Sequence, residues 1–298
     1  MPSLKGIRKR IVSTKATQKI TRAMKMVAGA RLTRAQQRIV AMRPYAVKTG
    51  EVLQSVSRTM AAAGESQDEP AHPLLAKRPE NKTLFLVFTA DRGLCGALNT
   101  NINKATERFW REKEGGNVGV SFATMGRKGR EYLGRRGGKV LQDFPRIYDG
   151  LDLEKARLVS GWVASHFQKG EFDSVYLVFN EFKSAITQKV VVDRLLPLVP
   201  VSAQPAEGAS PQSDFIYEPN QPALLERLVP MYIEITIYRA LLESQASFFG
   251  AQMTAMDAAT RNAKDMIARL TLEYNRARQA GITKELMEIV GGAEALKE

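Results

Sequence analysis

The chain has little of the chemistry that most catalytic or metal centres need. It contains one cysteine, Cys95, and two histidines, His72 and His166, among 298 residues. A single cysteine excludes an internal disulfide and is typical of a reducing compartment. Two isolated histidines and one thiol offer no ligand spacing for zinc, and a thiolate nucleophile would need a histidine partner. The sequence therefore predicts no metal site and no cofactor, and Cys95 is interpreted as a buried structural residue.

Long apolar runs and N-terminal acidic residues are also scarce. No stretch reaches the roughly 18 apolar residues that a membrane span needs, and the first ten residues lack the apolar segment of a secretory signal. Residues 1–58 hold 14 Lys and Arg but a single acid, Glu51, whereas the other 240 residues hold 30 charges of each sign. One segment therefore carries the whole net charge of +13. Such charge indicates a partner with an acidic lining, nucleic acid or an anionic membrane surface.

Residues 1–60 are predicted to form one long helix, because apolar or small residues recur in steps of three and four. Arg31 occupies a position in this stripe that a hydrophobe would normally fill. Pro44 should kink the helix or leave one carbonyl unpaired. The stripe consists of Leu4, Ile7, Ile11, Ile20, Met24, Val27, Ala35, Ile39, Met42, Ala46, Thr49, Leu53, Val56 and Met60.

The pattern of residues 225–277 is longer than that of an ordinary globular helix. Apolar residues alternate in steps of three and four over seven heptads, which predicts a left-handed coiled coil of roughly 80 Å. Only Arg239 and Thr260 break the pattern. Two long helices that flank one domain must run antiparallel if they pair with each other. The predicted seam consists of Leu225, Leu228, Tyr232, Ile235, Leu242, Ala246, Phe249, Met253, Met256, Ala263, Ile267, Leu270, Tyr274 and Ala277.

Between the two helices, strands alternate with shorter helices, which predicts a mostly parallel sheet. The predicted strands are 83–89, 118–123, 174–179 and 189–195, and the predicted helices are 97–112, 125–135 and 153–168. Residues 62–81 and 199–213 have the composition of linkers.

The loop TADRGLCGALN, residues 89–99, follows the first predicted strand. Gly93 and Gly96 form Gly-x-x-Gly instead of a dinucleotide fingerprint, and the chain has no P-loop. The glycines are interpreted as letting the backbone leave the strand with positive φ and approach something closely. The stretch 126–130 could contact phosphate, but a solvated loop is the favoured interpretation.

Several longer motifs occur in a fixed order: TQKITRAMKMVA at 17–28, DRGLCG at 91–96, MDAATRNA at 256–263 and YNRARQAGITKELMEIVGGA at 274–293. Together with RPY at 43–45 and YEP at 217–219, they make the chain resemble the gamma-subunit family of the rotary ATP synthases, of bacterial type. The resemblance implies an α/β fold, with a long antiparallel coiled coil of the N- and C-terminal helices and an inserted Rossmann-like α/β domain. The expected division is 1–60, 82–200 and 215–298.

The resemblance also implies a non-catalytic shaft that couples rotation of the membrane c-ring to conformational change in the alpha/beta hexamer. The implied partners are the alpha, beta and epsilon subunits and the c-ring, at the cytoplasmic face of a bacterial cell membrane. The residues implied to contact the catalytic hexamer are Arg278, Gln279, Thr283 and Arg31. Those of the bearing tip are Ile282, Leu286, Ile289 and Val290. Those that meet the ring and epsilon are Tyr217 and Glu218. The structural loop comprises Asp91, Arg92, Gly93, Cys95 and Gly96.

The sequence departs from the family pattern in places. Arg31 stands where the family usually has Lys, and Gly281 and Gly291 occupy positions often filled by Ala or Ser. The lone Cys95 argues against the thiol control of plastid members. Two alternatives stay open: a basic coiled-coil nucleic-acid binder, although residues 1–44 lack base-stacking aromatics, and an α/β enzyme with helical arms.

Overall fold

The structure is a computed structural model that describes residues 3–62, 72–76, 78–198 and 221–295. Two long helices flank a five-stranded sheet with three shorter helices. The helices are α1 (Leu4–Ala62), α2 (Leu98–Gly115), α3 (Arg127–Arg135), α4 (Leu153–Gln168) and α5 (Gln221–Ala295). The strands are β1 (Lys82–Phe88), β2 (Gly119–Met125), β3 (Val140–Phe144), β4 (Ser174–Phe182) and β5 (Gln188–Leu196). The chain divides into two compact units, Met1–Ala30 with Gln252–Glu298, and Arg31–Ala251.

In the first unit, the N- and C-terminal helices pair antiparallel. Thr21 and Thr260 are joined by a hydrogen bond of 2.8 Å between their hydroxyls, and the Lys25 ammonium lies 2.5 Å from the Asp257 carboxylate. Further along, Thr14 Oγ1 lies 4.0 Å from Met266 Sδ. As residue numbers rise on α1 they fall on α5, which confirms the predicted antiparallel coiled coil.

The predicted seam of α5 is confirmed, because each of its residues is buried or half-buried. Of the two predicted interruptions, Arg239 is exposed, whereas Thr260 is half-buried and bonded to Thr21. Both long helices continue through an internal proline, Pro44 in α1 and Pro230 in α5. In the described residues, no helix is both long and apolar enough to cross a membrane.

The predicted stripe of α1 is wrong at its upstream positions Ile20 and Val27, although Ile7, Ile11 and Met24 are buried or half-buried. Ile20 and Val27 are 60% and 52% exposed, whereas Thr21, Ala28 and Leu32 are buried. Arg31 is likewise exposed, one residue away from the seam. The residues of the observed seam follow one unbroken heptad spacing, but several of them are polar. A search for apolar residues alone therefore does not find the seam. Its buried or half-buried members are Ile7, Ile11, Thr14, Gln18, Thr21, Lys25, Ala28, Leu32, Ala35, Ile39, Met42, Ala46 and Thr49.

The sheet of the second unit has the strand order β3-β2-β1-β4-β5. β1 pairs parallel with β2 and β4, β2 pairs parallel with β3, and β5 is antiparallel to β4. This confirms the mostly parallel sheet and the Rossmann-like order. The sequence did not predict β3, since this edge strand is only five residues long and largely half-buried.

Apolar layers cover both faces of the sheet, as a parallel sheet requires. Leu84, Leu86 and Phe88 of β1 pack in one core cluster with residues of α4 and α5. Phe85 and Val87 point to the other face and pack with residues of α2 and α3. Within this unit, α5 therefore serves both as half of the helix pair and as a layer of the α/β domain.

Candidate functional site

The loop after β1 is held against the start of α3 by three hydrogen bonds. The Asp91 carboxylate accepts from the Arg127 backbone N–H at 3.0 Å, and the Ala90 carbonyl accepts from that of Lys128 at 3.2 Å. Thr89 Oγ1 accepts from the Gly129 backbone N–H at 2.7 Å. The first three N–H groups of α3, which could otherwise hold a phosphate, are therefore occupied by the protein itself.

The close approach expected of Gly93 and Gly96 is made by two other glycines. Gly96 has a positive φ of 58°, but a Cβ on Gly93 or Gly96 would meet nothing within 4 Å. In contrast, a Cβ on Gly126 would lie 2.1 Å from the Thr89 carbonyl oxygen, and one on Gly129 would lie 2.9 Å from Thr89 Oγ1. The contact between the loop and α3 therefore depends on the glycines of α3.

The other end of the loop is fixed by Asn99, in the first turn of α2. Its side-chain oxygen accepts from the Ala90 backbone N–H at 2.9 Å, and its amide nitrogen donates to the Arg92 carbonyl at 3.3 Å. The same nitrogen lies 3.3 Å from Cys95 Sγ. Cys95 is 2% exposed, as predicted, and burial raises the pKa of its thiol. A buried, protonated thiol is a poor nucleophile.

The C-terminal part of α5 has a different environment. Continuing the register of the helix pair backwards along α1 places Leu4 opposite the turn around Ala277. Residues 278–293 therefore extend beyond α1, and all of them except the half-buried Gly281 are exposed. The overhang of α5, residues 278–295, is about 27 Å long. It includes five apolar side chains that are at least half exposed: Ile282, Leu286, Met287, Ile289 and Val290.

The residues implied to contact the hexamer lie in both units. Arg278, Gln279 and Thr283 are exposed on the overhang. Arg31 lies in the second unit, where its guanidinium carbon is 5.9 Å from the centre of the Phe249 ring. Tyr217 and Glu218 lie outside the described residues.

The overhang has two chemically different sides. At about 100° per residue, the seven residues of the overhang that are implied to contact the hexamer or to form its bearing fall within an arc of about 140°. Lys284, Met287 and Glu288 lie outside this arc, and Lys284 and Glu288 form an ion pair of 3.5 Å. The residues of the arc are Arg278, Gln279, Ile282, Thr283, Leu286, Ile289 and Val290.

Comparison with known proteins decides the family. The sequence model of the ATP synthase family matches residues 3–296. The gamma chain of Sorangium cellulosum ATP synthase is 55% identical, and that of Geotalea uraniireducens is 48% identical, each over the full length of both chains. The chain belongs to the ATP synthase gamma-chain family. As a gamma chain, it is a non-catalytic subunit of that complex and part of its rotor, the central stalk.

Solved structures share the fold of this gamma chain. The central stalk and c-ring of Tetrahymena thermophila mitochondrial ATP synthase contain a chain with a TM-score of 0.60 and 24% identity, covering 80% of this chain and 99% of that one. A chain of the Euglena gracilis mitochondrial enzyme gives a TM-score of 0.66 and 20% identity, covering 98% and 94%.

Sequence reasoning missed the residues that organise the loop and the helix pair. Asn99, Gly126 and Gly129 hold the loop, and Thr21 pairs with Thr260 across the seam. A signal existed for Thr21, because counting back in sevens from Ala35 reaches Ala28 and then Thr21. No comparable signal identifies Gly126, since its partner Thr89 lies 37 residues away in the sequence.

Proposed function

We propose that this gamma chain couples rotation of the membrane c-ring to conformational change in the alpha/beta hexamer, without bond chemistry of its own. The observation that carries the proposal is the two-sided overhang of α5. The proposed partners are the alpha, beta and epsilon subunits and the c-ring. The proposed location is peripheral, at the cytoplasmic face of a bacterial cell membrane. We also propose that the chain divides into an N-terminal coiled-coil helix at 1–60, an α/β domain at 82–200 and a C-terminal coiled-coil helix at 215–298.

The helix pair supplies the stiffness that a shaft needs. In the first unit, apolar seam residues alternate with polar contacts that fix the register, such as Thr21 to Thr260 and Lys25 to Asp257. A hydrogen bond and an ion pair that would both break if one helix slid past the other oppose slippage. The Lys25 hydrogen bond lowers the pKa of Asp257, which keeps this carboxylate ionised.

The overhang supplies the asymmetry. A shaft can change the populations of two conformations of a catalytic site only if its interaction energy differs between those conformations. A helix with apolar residues and Arg278 on one side and the Lys284–Glu288 pair on the other presents different chemistry to a neighbour at different angles. Exposed apolar side chains in such numbers on one helix end are typical of a surface that binds another protein.

The charge of α1 favours the same partners. In the described part of α1, only Lys25 and Lys48 form ion pairs. Arg38 donates to the Leu151 carbonyl and Arg31 lies over the Phe249 ring, and the remaining described cations of α1 are available to acidic loops of surrounding subunits. Tyr217 and Glu218 stay proposed contacts of the ring and epsilon subunit, on family resemblance alone.

The test uses the assembled complex in vesicles. Arg278→Ala should lower coupled ATP-driven proton pumping about tenfold, because hydrogen bonds to a charged group contribute about 1.5–3 kcal/mol. The variant should still fold, since Arg278 is exposed. Lys284→Ala is the matched comparison and should have the smaller effect. Equal losses in both variants would contradict the two-sided overhang.

A separate purification tests the partners. Affinity capture of the tagged chain should recover nucleotide-binding alpha and beta subunits in threefold excess over it. Recovery of a homodimer alone would contradict the shaft.

A further inference from the structure

A cavity of about 240 Å³ lies at the carboxyl edge of the sheet, within residues 31–251. It lies where β1 and β4 end, with Thr89 and Asn180 in its wall. The connections from β1 run to β2 and β3 on one side, whereas β4 and β5 lie on the other side. The carboxyl ends of β1 and β4 therefore form the topological switch point, the place where open α/β sheets bind ligands.

The inner wall of this cavity carries polar atoms without partners. Asn180 and Ser244 are 2% and 6% exposed, and the Asn180 Nδ2 atom makes no hydrogen bond within the described chain. The buried Tyr148 hydroxyl lies against the Ser244 hydroxyl, and a hydrogen bond between them uses only one of their two protons, so one donor is left over. Burial raises the pKa of Tyr148 far above its usual value, so the hydroxyl stays protonated and can donate. Unsatisfied buried donors destabilise a protein unless something binds them.

The backbone that carries two of these side chains is fixed by the fold. The Ser247 hydroxyl donates to the Asn180 carbonyl at 3.1 Å, and the Gln245 amide donates to the Tyr148 carbonyl at 3.1 Å. Asn180 also lies in the β4–β5 ladder, opposite Val190. The Asn180 and Tyr148 side chains therefore start from fixed backbone positions.

The mouth of the cavity is cationic. A second cavity of about 270 Å³ shares Asp91, Arg92 and Asp149 with the first, so the two adjoin. In the described chain, the guanidinium groups of Arg92 and Arg146 form no ion pair, and Arg31 lines the first cavity beside Phe249. Asp91 and Asp149 also line the mouth, and Asp91 keeps its charge because it accepts only from a backbone N–H. Three unpaired arginines against two carboxylates leave a small positive balance.

We propose that this carboxyl-edge site binds a small planar molecule that carries an oxyanion, either a phosphate monoester or a carboxylate. The inner donors would bind acceptor atoms of the ligand, and the rings of Phe248 and Phe249 would contact its planar part. The arginines at the mouth would bind the oxyanion, as guanidinium groups favour phosphate and carboxylate. The ligand would bind through side chains and not through the backbone N–H groups of α3, which are already occupied. The site therefore needs no glycine-rich loop. It is independent of the coupling role.

The experiment titrates the purified full-length chain with phenyl phosphate, benzoate and inorganic phosphate by isothermal calorimetry. Saturable binding of phenyl phosphate or benzoate is expected, at least tenfold tighter than that of inorganic phosphate, because only the first two carry a ring. The two arms identify whether phosphate or carboxylate is preferred. Equal affinity for inorganic phosphate, or no saturable binding of any probe, would overturn the proposal and leave water as the occupant.

Two variants and a control locate the binding. Ser244→Ala removes a single hydroxyl group, and Arg92→Gln changes an exposed side chain, so both should fold. Each should weaken binding about tenfold. Arg111→Gln, an exposed arginine on α2, should leave binding unchanged. Unchanged affinity in both site variants, or an equal loss in the control, would overturn the proposal.

Discussion

Replacing Glu80 by glutamine tests how the α/β domain is held together at the amino end of its sheet. The Glu80 carboxylate accepts hydrogen bonds from Lys113 Nζ on α2 at 2.8 Å, Ser174 Oγ on β4 at 2.7 Å and Thr83 Oγ1 on β1 at 3.0 Å. Burial opposes its charged form, but these donors outweigh burial and lower the pKa of Glu80 from 4.5 to about 2. One carboxylate therefore joins three elements.

The magnitude follows from that pKa. A difference of about 2.5 pKa units corresponds to about 3 kcal/mol of stability when Glu80 is ionised. Because the folded pKa lies below the unfolded one, this stability is fully present well above pH 4.5 and is lost as the pH falls towards 2. Glu80→Gln keeps an acceptor oxygen but leaves the Lys113 ammonium without its anion. We expect a loss of about 2–3 kcal/mol at pH 7.

The assay is urea unfolding of the full chain, followed by tryptophan fluorescence. Both tryptophans, Trp110 and Trp162, lie in the unit of residues 31–251, so the signal reports on that unit. Glu114→Gln is the control, since this exposed carboxylate on α2 forms no ion pair in the described chain; a change within about 0.5 kcal/mol is expected. The reasoning fails if Glu80→Gln costs no more than the control, or if its cost is the same at pH 3 as at pH 7.

Three further experiments test other contacts, two by thermal or chemical unfolding of paired variants and one by thiol labelling. Gly126→Ala should lower the free energy of unfolding by more than about 2 kcal/mol, because its Cβ would overlap the Thr89 carbonyl. The control Gly137→Ala, at a glycine with a positive φ but open space around it, should cost about 1 kcal/mol. Equal costs would refute the close contact. Thr260→Val should cost about 1 kcal/mol through the lost bond to Thr21, and Thr271→Val, which bonds only within its own helix, should cost little. Cys95 should react with iodoacetamide at least tenfold more slowly in the folded than in the urea-unfolded chain, since it is buried and its thiol pKa is raised; similar rates would show that it is accessible.

How much the sequence predicts depends on whether a contact leaves a pattern within one element. The seam of α5 was predictable because nearly every position in it is apolar. The upstream seam of α1 was not, because Thr14, Gln18, Thr21 and Lys25 occupy it while Ile20 and Val27 face outward. Residues that are buried but polar give no apolar periodicity, although the heptad spacing itself extends unbroken from Ala35.

The site depends more on tertiary contacts, which a single sequence does not encode locally. The DRGLCG loop was recognised as a corner, but its contact with α3 joins Thr89 to Gly126 across two elements. The strand β3 was missed because five residues interrupted by Gln142 and Asp143 are too short a stretch to give a clear pattern. The cavity at the carboxyl edge gathers Asn180, Ser244 and Tyr148 from separate parts of the chain, so no motif could have indicated it.

The register of the helix pair connects the fold to the proposed coupling. α1 has 59 residues and α5 has 75, and in the first unit the pairing of Thr21 with Thr260 brings the start of α1 opposite Ala277. Within the described residues, nothing covers the apolar side chains beyond that point, which is the arrangement that the proposed contact with another protein requires. A slip of one heptad in the pairing would cover or expose seven more residues of α5. The polar pairs in the seam therefore do more than add stability, because by fixing the register they also set which residues the overhang presents.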